Sequence, residues 1–345
     1  MKKGYLILEN GQVFEGVRFG AQGTAQGELV FNTSMVGYEA TLTDGCNYGK
    51  ILMHTFPQVG NYGMIGEDVD GPATPCAFVC REYCLSPSNF RCEGDMGAYL
   101  AEQGVVGLQG VDTRELTRIL RDNGSMNAMI ADEVPTDLTA LKSYKVTGAV
   151  AALTYGDTTY EADSPKGKVA LINYGELRAL GTEIAARGYT VDVFPADVTA
   201  DALSGYAGVM LSDGPDGEAA HMDVSLIKDI LGKAPIFAVG LGHLLLAKAQ
   251  GGSLVKLPYG HRGANQPART ADGSRTYIST QNHGYAVDAK SVKGTETYVN
   301  ANDGTNEGMS YPESRAFSVQ FVPDTYEGPT DNSYLYDEFI NMMEG

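Results

Sequence analysis

The stretch Pro235-Ile236-Phe237-Ala238-Val239-Gly240-Leu241-Gly242-His243-Leu244-Leu245-Leu246 decides the fold. A short apolar run of strand length meets a glycine, and a second apolar run continues to Gln250, where Gly251-Gly252 stops it. Strand, sharp turn and helix in immediate succession is the geometry of a nucleophile elbow. In such a turn the reactive side chain sits on strained backbone at a helix N-terminus, where negative charge is favoured and a thiol pKa falls.

Working outward, the segments around the elbow alternate between strand and helix. Lys168–Tyr174, Thr190–Pro195, Tyr206–Leu211 and Pro235–Val239 read as strands. Glu176–Arg187, Asp223–Leu231 and Leu241–Gln250 read as helices. This rhythm predicts an α/β domain with a mostly parallel sheet and flanking helices, and places ligands at the carboxyl ends of strands.

Residues 1–149 differ. Lys3–Glu9 and Gln12–Gly16 flank Asn10-Gly11, a hairpin dipeptide. Glu28–Asn32, Ile51–Thr55 and Ala77–Tyr83 are further strand-length runs, and helices are expected at Met96–Gln103 and, capped by Asp112, at Thr113–Asn123. The reading is a β-rich N-terminal domain (1–149), a polar linker (150–166) and the α/β domain (167–345).

Composition sets limits. The 345 residues are 43% hydrophobic and 20% charged, which is ordinary globular usage. Net charge is −18, from 25 basic and 43 acidic residues, with no basic cluster, which argues against nucleic acid as a partner. No apolar run approaches membrane-spanning length and Met1–Tyr5 does not open a signal peptide, so a cytoplasmic protein is expected. The five cysteines, Cys46, Cys76, Cys80, Cys84 and Cys92, are expected to be reduced thiols, with Cys76, Cys80 and Cys84 sharing a strand face as small hydrophobes. No zinc spacing follows them, and neither metal nor cofactor is expected.

The ordered set of motifs carries a resemblance. Gly27-Glu28-Leu29-Val30-Phe31-Asn32-Thr33-Ser34-Met35-Val36-Gly37-Tyr38-Glu39, Gln58-Val59-Gly60-Asn61-Tyr62-Gly63 and Asp112-Thr113-Arg114-Glu115-Leu116-Thr117 are similar to the N-terminal domain of the carbamoyl phosphate synthetase small subunit. Gly260-His261-Arg262-Gly263-Ala264-Asn265-Gln266-Pro267 and Gln281-Asn282-His283-Gly284-Tyr285-Ala286-Val287-Asp288 resemble its C-terminal, class I glutamine amidotransferase domain. The resemblance implies a small subunit that releases ammonia from glutamine and docks, through its N-terminal domain, on a large synthetase subunit using ATP and bicarbonate, in arginine or pyrimidine biosynthesis.

The same alignment of motifs removes the chemistry. Against the family's Gly-x-Cys-x-Gly-His-Gln, Gly240 stands at the cysteine and Leu244 at the glutamine. Against its His-Pro-Glu, Val322 stands at the base and Asp324 at the orienting acid. Against Asn-Gly-Pro-Gly-Asp-Pro, the chain has Asp213-Gly214-Pro215-Asp216-Gly217-Glu218, and a carboxylate at Asp216 is expected to oppose an oxyanion. Cys46 replaces a serine that the resemblance puts at the glutamine site. Cys46, Gly214, Asp216, Leu241, Leu244, Asn282, Gly284 and Tyr285 are thus the expected remnant of a glutamine pocket. Amide hydrolysis by this route needs a nucleophile, a base and an orienter. The expectation is a non-catalytic partner of an ammonia-using large subunit. The alternative is an amino-acid-binding sensor or assembly protein, and an active glutaminase is the least favoured reading. His243 is expected as a helix histidine, His283 as part of a turn and His261 as loop packing.

Overall fold

The computed structural model describes residues 2–323 and 329–345, which divide into two compact units, 1–147 with 258–263, and 148–257 with 264–345. The orienting position Asp324 lies outside the described residues.

The first unit is built on β1 (Lys3–Leu8), β2 (Val13–Gly20), β3 (Ala25–Asn32), β4 (Ile51–His54), β5 (Gln58–Val59), β6 (Ala77–Cys80), β7 (Glu82–Tyr83), β8 (Val106–Gln109) and β9 (Met126–Ala131). Among the described residues, seven strands close a barrel in the order β1-β2-β8-β6-β4-β3-β9. The Asn10-Gly11 hairpin forms as its sequence demands, with Gly11 at φ 91° and β1 antiparallel to β2. Leu6, Leu8, Leu29, Ile51, Met53, Val79, Leu108 and Ile130 fill the interior. The helix Thr113–Asn123 is held at its start by Asp112, whose carboxylate accepts from the N–H groups of Arg114 and Glu115, and it buries Leu116 and Leu120 in the same core.

The run Ala77–Tyr83 is not one strand. β6 pairs with β8 as far as Cys80, and β7 then pairs with β5 in a separate two-stranded sheet, because the chain changes partner at Arg81. Cys76, Cys80 and Cys84 therefore do not share one strand face: Cys76 precedes β6, Cys80 ends it and Cys84 follows β7. All five thiols are unpaired with one another, and burial pushes the Cys76 thiol up to about 12, away from reactivity.

The second unit contains β10 (Thr159–Tyr160), β11 (Gly167–Asn173), β12 (Tyr189–Pro195), β13 (Gly208–Leu211), β14 (Ile236–Val239), β15 (Leu254–Thr270, of which residues 258–263 belong to the first unit), β16 (Thr276–Val287), β17 (Thr295–Asn300), β18 (Asn306–Tyr311) and β19 (Ala316–Val319). The centre of its sheet is parallel, in the order β12-β11-β13-β14-β19. Antiparallel strands flank it, β10 on one side and β18, β17, β15 and β16 on the other. Alternation along β11 splits its side chains between two cores. Ala170 and Ile172 pack with Ile227, Ile230 and Leu244–Leu246 of the helices on one face. Val169 and Leu171 pack with Leu180, Ile184, Leu335, Tyr336 and Phe339 on the other. A helix on each side of a parallel sheet is the α/β layering that the sequence rhythm implies.

Three local expectations change. The helix expected from Glu176 begins only at Leu180, because Gly175 and Arg178 take positive φ values of 121° and 45°. The expected linker carries a short helix, Ala149–Leu153, and β10, with Val150 buried in the core. His261 and His283 lie on strands β15 and β16, not in a loop and a turn. The His283 ring is tied at Nδ1 to the Tyr285 carbonyl (2.8 Å) and at Nε2 to Gln281 Oε1 (3.1 Å). Among the described residues no helix is long and apolar enough to cross a membrane.

Candidate functional site: a glycine elbow filled by a carboxylate

Strand β14 ends at Val239 and the helix Leu241–Ala249 begins two residues later, so the whole change of direction falls on Gly240. Its backbone sits at φ 55°, ψ −113°, a region that costs a residue with a Cβ about 1–3 kcal/mol. Gly240 N–H donates to the Val319 carbonyl (3.0 Å) and Leu244 N–H returns to the Gly240 carbonyl (3.2 Å), fixing strand and helix to the same point. Gly242 then lets the helix approach β13: a Cβ there would lie 2.6 Å from the Leu211 carbonyl oxygen.

The space in front of Gly240 is occupied. A Cβ on Gly240 would meet Asp213 Oδ1 at 2.0 Å and Oδ2 at 2.5 Å. Asp213 is buried, and its Oδ1 accepts from Leu241 N–H (2.8 Å) and from Gly214 N–H (2.7 Å). Two converging backbone donors at a helix N-terminus form an oxyanion cup of the kind that stabilises a tetrahedral intermediate. Here the cup holds the chain's own carboxylate. Asp213 is positioned by the elements beneath it: Glu176 N–H donates to its carbonyl (3.0 Å), and so does the Ser212 hydroxyl (2.7 Å), which in turn accepts from Tyr174 N–H (2.8 Å).

Asp216 behaves differently from the sequence expectation. Its Oδ2 accepts from Gly284 N–H and from Tyr285 N–H (3.0 Å) on β16. It is thus directed to the strand segment expected to contact substrate, and the carboxylate on the elbow amides is Asp213. Sequence comparison with a motif missed Asp213 because aspartate for asparagine looks conservative. The signal that was available is the arithmetic of volumes, since deleting a side chain at 240 frees space for a neighbour.

The other expected residues fall as follows. Leu241 and Leu244 are fully buried in the helix core. Asn282, Gly284 and Tyr285 lie along β16. Val322 is buried beside that strand, its N–H donating to the Thr280 carbonyl (3.0 Å). Cys46 belongs to the first unit, where it is buried in the single turn Gly45–Asn47 and its N–H donates to Asp44 Oδ1 (2.8 Å). His243, within the elbow helix, is fully buried with Nδ1 2.8 Å from Ser318 Oγ, and burial pulls its pKa down to about 3. A neutral imidazole locked in the core is a packing group, not a base.

Two family models match in chain order. Residues 6–130 match the carbamoyl-phosphate synthase small chain, CPSase domain, and residues 170–342 match glutamine amidotransferase class-I. A carbamoyl phosphate synthase small chain from Clostridium perfringens is 42% identical, over 98% of this chain and 99% of that one. The small chain of Staphylococcus saprophyticus is 38% identical over 99% and 96%, respectively. The chain belongs to the carbamoyl phosphate synthase small chain family.

The elbow is where the second unit turns from strand to helix. Gly240 presents no side-chain nucleophile at the turn, and the Val322 side chain cannot accept a proton.

Proposed function

We propose that this small-chain homologue has lost glutamine hydrolysis and acts as the non-catalytic partner of a carbamoyl phosphate synthase large chain that draws on free ammonia, in arginine or pyrimidine supply. One observation carries the reading: the volume of a nucleophile side chain at position 240 is taken by the Asp213 carboxylate. A negative charge seated on the elbow amides removes the stabilisation that an acyl-transfer oxyanion needs, independently of the missing thiol. Val322 at the base position supports the same conclusion. Docking on a large chain is supported by family membership over nearly the whole length of both chains.

The test is reconstitution with a large chain. The complex is expected to co-purify and to make carbamoyl phosphate from ammonium, with no product from glutamine above the large chain alone. Glutamine-dependent synthesis, or ammonia release by the small chain alone, overturns the loss of hydrolysis. Failure to co-purify overturns the partner role.

A further inference from the structure

A site that has lost hydrolysis is still free to bind an amino acid, and the geometry bears on that separately. Two pairs of backbone N–H groups in the second unit each converge on one oxygen. Leu241 and Gly214 hold Asp213 Oδ1, and Gly284 and Tyr285 hold Asp216 Oδ2. Both aspartates are at least 95% buried, at 5% and 4% exposure. They are separated by three peptide units, so their Cα atoms lie at most about 11 Å apart. Gly214 is closely packed, since a Cβ there would stand 2.2 Å from the Tyr174 carbonyl oxygen, and Pro215 fixes the next φ.

We propose that Asp213 and Asp216 are intramolecular ligands that close this pocket to free amino acids. Each takes the pair of donors that an incoming carboxylate or oxyanion would use. A tethered carboxylate acts at the effective concentration of an intramolecular group and loses no translational freedom on binding. A competing anion has to displace it and then share the pocket with the charge it displaced. The turn Asp213–Asp216 is therefore an autoinhibitory contact written into the chain, and it excludes the sensor role. The inference rests on reading this region as the vacated glutamine pocket.

Titration calorimetry with L-glutamine and L-glutamate at millimolar concentration tests it. The wild-type chain is expected to show no binding at millimolar concentration, and Asp213→Ala/Asp216→Gly to bind at least one with a dissociation constant at least about tenfold below that limit. Hydrogen exchange on the wild-type chain supplies a second reading that needs no variant. The amides of Gly214, Leu241, Gly284 and Tyr285 are expected to be protected, and protected equally with L-glutamate present. Submillimolar binding by wild type, a folded double variant that binds no better, or unprotected amides overturns the closure. Binding of glutamine without ammonia release refutes closure alone, whereas ammonia release refutes the proposed loss of hydrolysis.

Discussion

If the Asp213 carboxylate occupies the volume of a side chain at 240, then returning a side chain there cannot be a local change. Gly240→Ala places a Cβ 2.0 Å from Asp213 Oδ1, so the carboxylate has to leave. The backbone, at φ 55°, adds about 1–3 kcal/mol of strain, taken here as about 2. Eviction breaks two hydrogen bonds to a charged acceptor and leaves two buried donors, about 3 kcal/mol after partial rehydration. Gly240→Ala is thus expected to cost about 5 kcal/mol, a large part of the stability of a typical domain. Asp213→Ala alone costs about 3 kcal/mol for the same two unpaired donors. The double variant suffers the strain and the unpaired donors once each, about 5 kcal/mol, not the additive 8. The chain has no tryptophan, so far-UV circular dichroism in urea is the suitable probe for this cycle. A coupling of about 3 kcal/mol is expected. Additivity within about 0.5 kcal/mol refutes the idea that these two positions compete for one volume. Gly240→Cys belongs in the same series and is expected to lose stability in the same way without gaining glutaminase activity.

Two further outcomes follow from the packing. Glu39 is buried in the first unit with Oε1 on the Ile65 N–H, and burial raises its carboxyl to about 7. Because the folded chain holds this proton more tightly than the unfolded one, stability falls as pH rises from the unfolded value near 4.5 through about 7. Glu39→Gln, which keeps an acceptor, is expected to remove about 2 kcal/mol of that loss, read as a melting temperature higher than wild type at pH 8 and equal to it at pH 5; a parallel decline in both chains contradicts it. Gly242→Ala improves helix propensity by about 1 kcal/mol but drives a Cβ to 2.6 Å from the Leu211 carbonyl oxygen, a backbone atom that cannot step aside. The clash wins, and a net loss of about 2 kcal/mol is expected in denaturation midpoints; a gain in stability sinks the argument.

The parts that were legible in the sequence are those with a local cause. The Asn10-Gly11 hairpin, the Asp112 cap and the alternation of apolar strands with helices in the second unit need only short-range chemistry, and the structure has them. What was not legible depends on partners distant in the chain. The run Ala77–Tyr83 reads as one strand until it is known that β8 and β5 compete for it. His261 and His283 sit among glycines that suggest turns, yet the pairing of long antiparallel strands makes them extended. At the site, the elbow turn itself was readable from Val239-Gly240-Leu241, since a strand and a helix with a single glycine between them leave one place to bend.

The role of Asp213 could not be read from its own position, because it depends on what stands at position 240. A side chain at 240 and a carboxylate on the Leu241 and Gly214 amides exclude each other, since its Cβ would lie 2.0 Å from Asp213 Oδ1. While a side chain stands at 240, an aspartate at 213 is denied that rotamer and has to place a buried charge elsewhere, which is costly. With glycine at 240 the same aspartate finds two donors and a helix N-terminus, and the strain of the elbow disappears as well. Each change thus makes the other favourable, and returning a side chain at 240 alone lowers stability. On the proposed loss of hydrolysis, recovery calls for a nucleophile at 240 together with a proton acceptor, so Gly240→Cys alone is expected to be less stable than the starting protein and no more active in ammonia release.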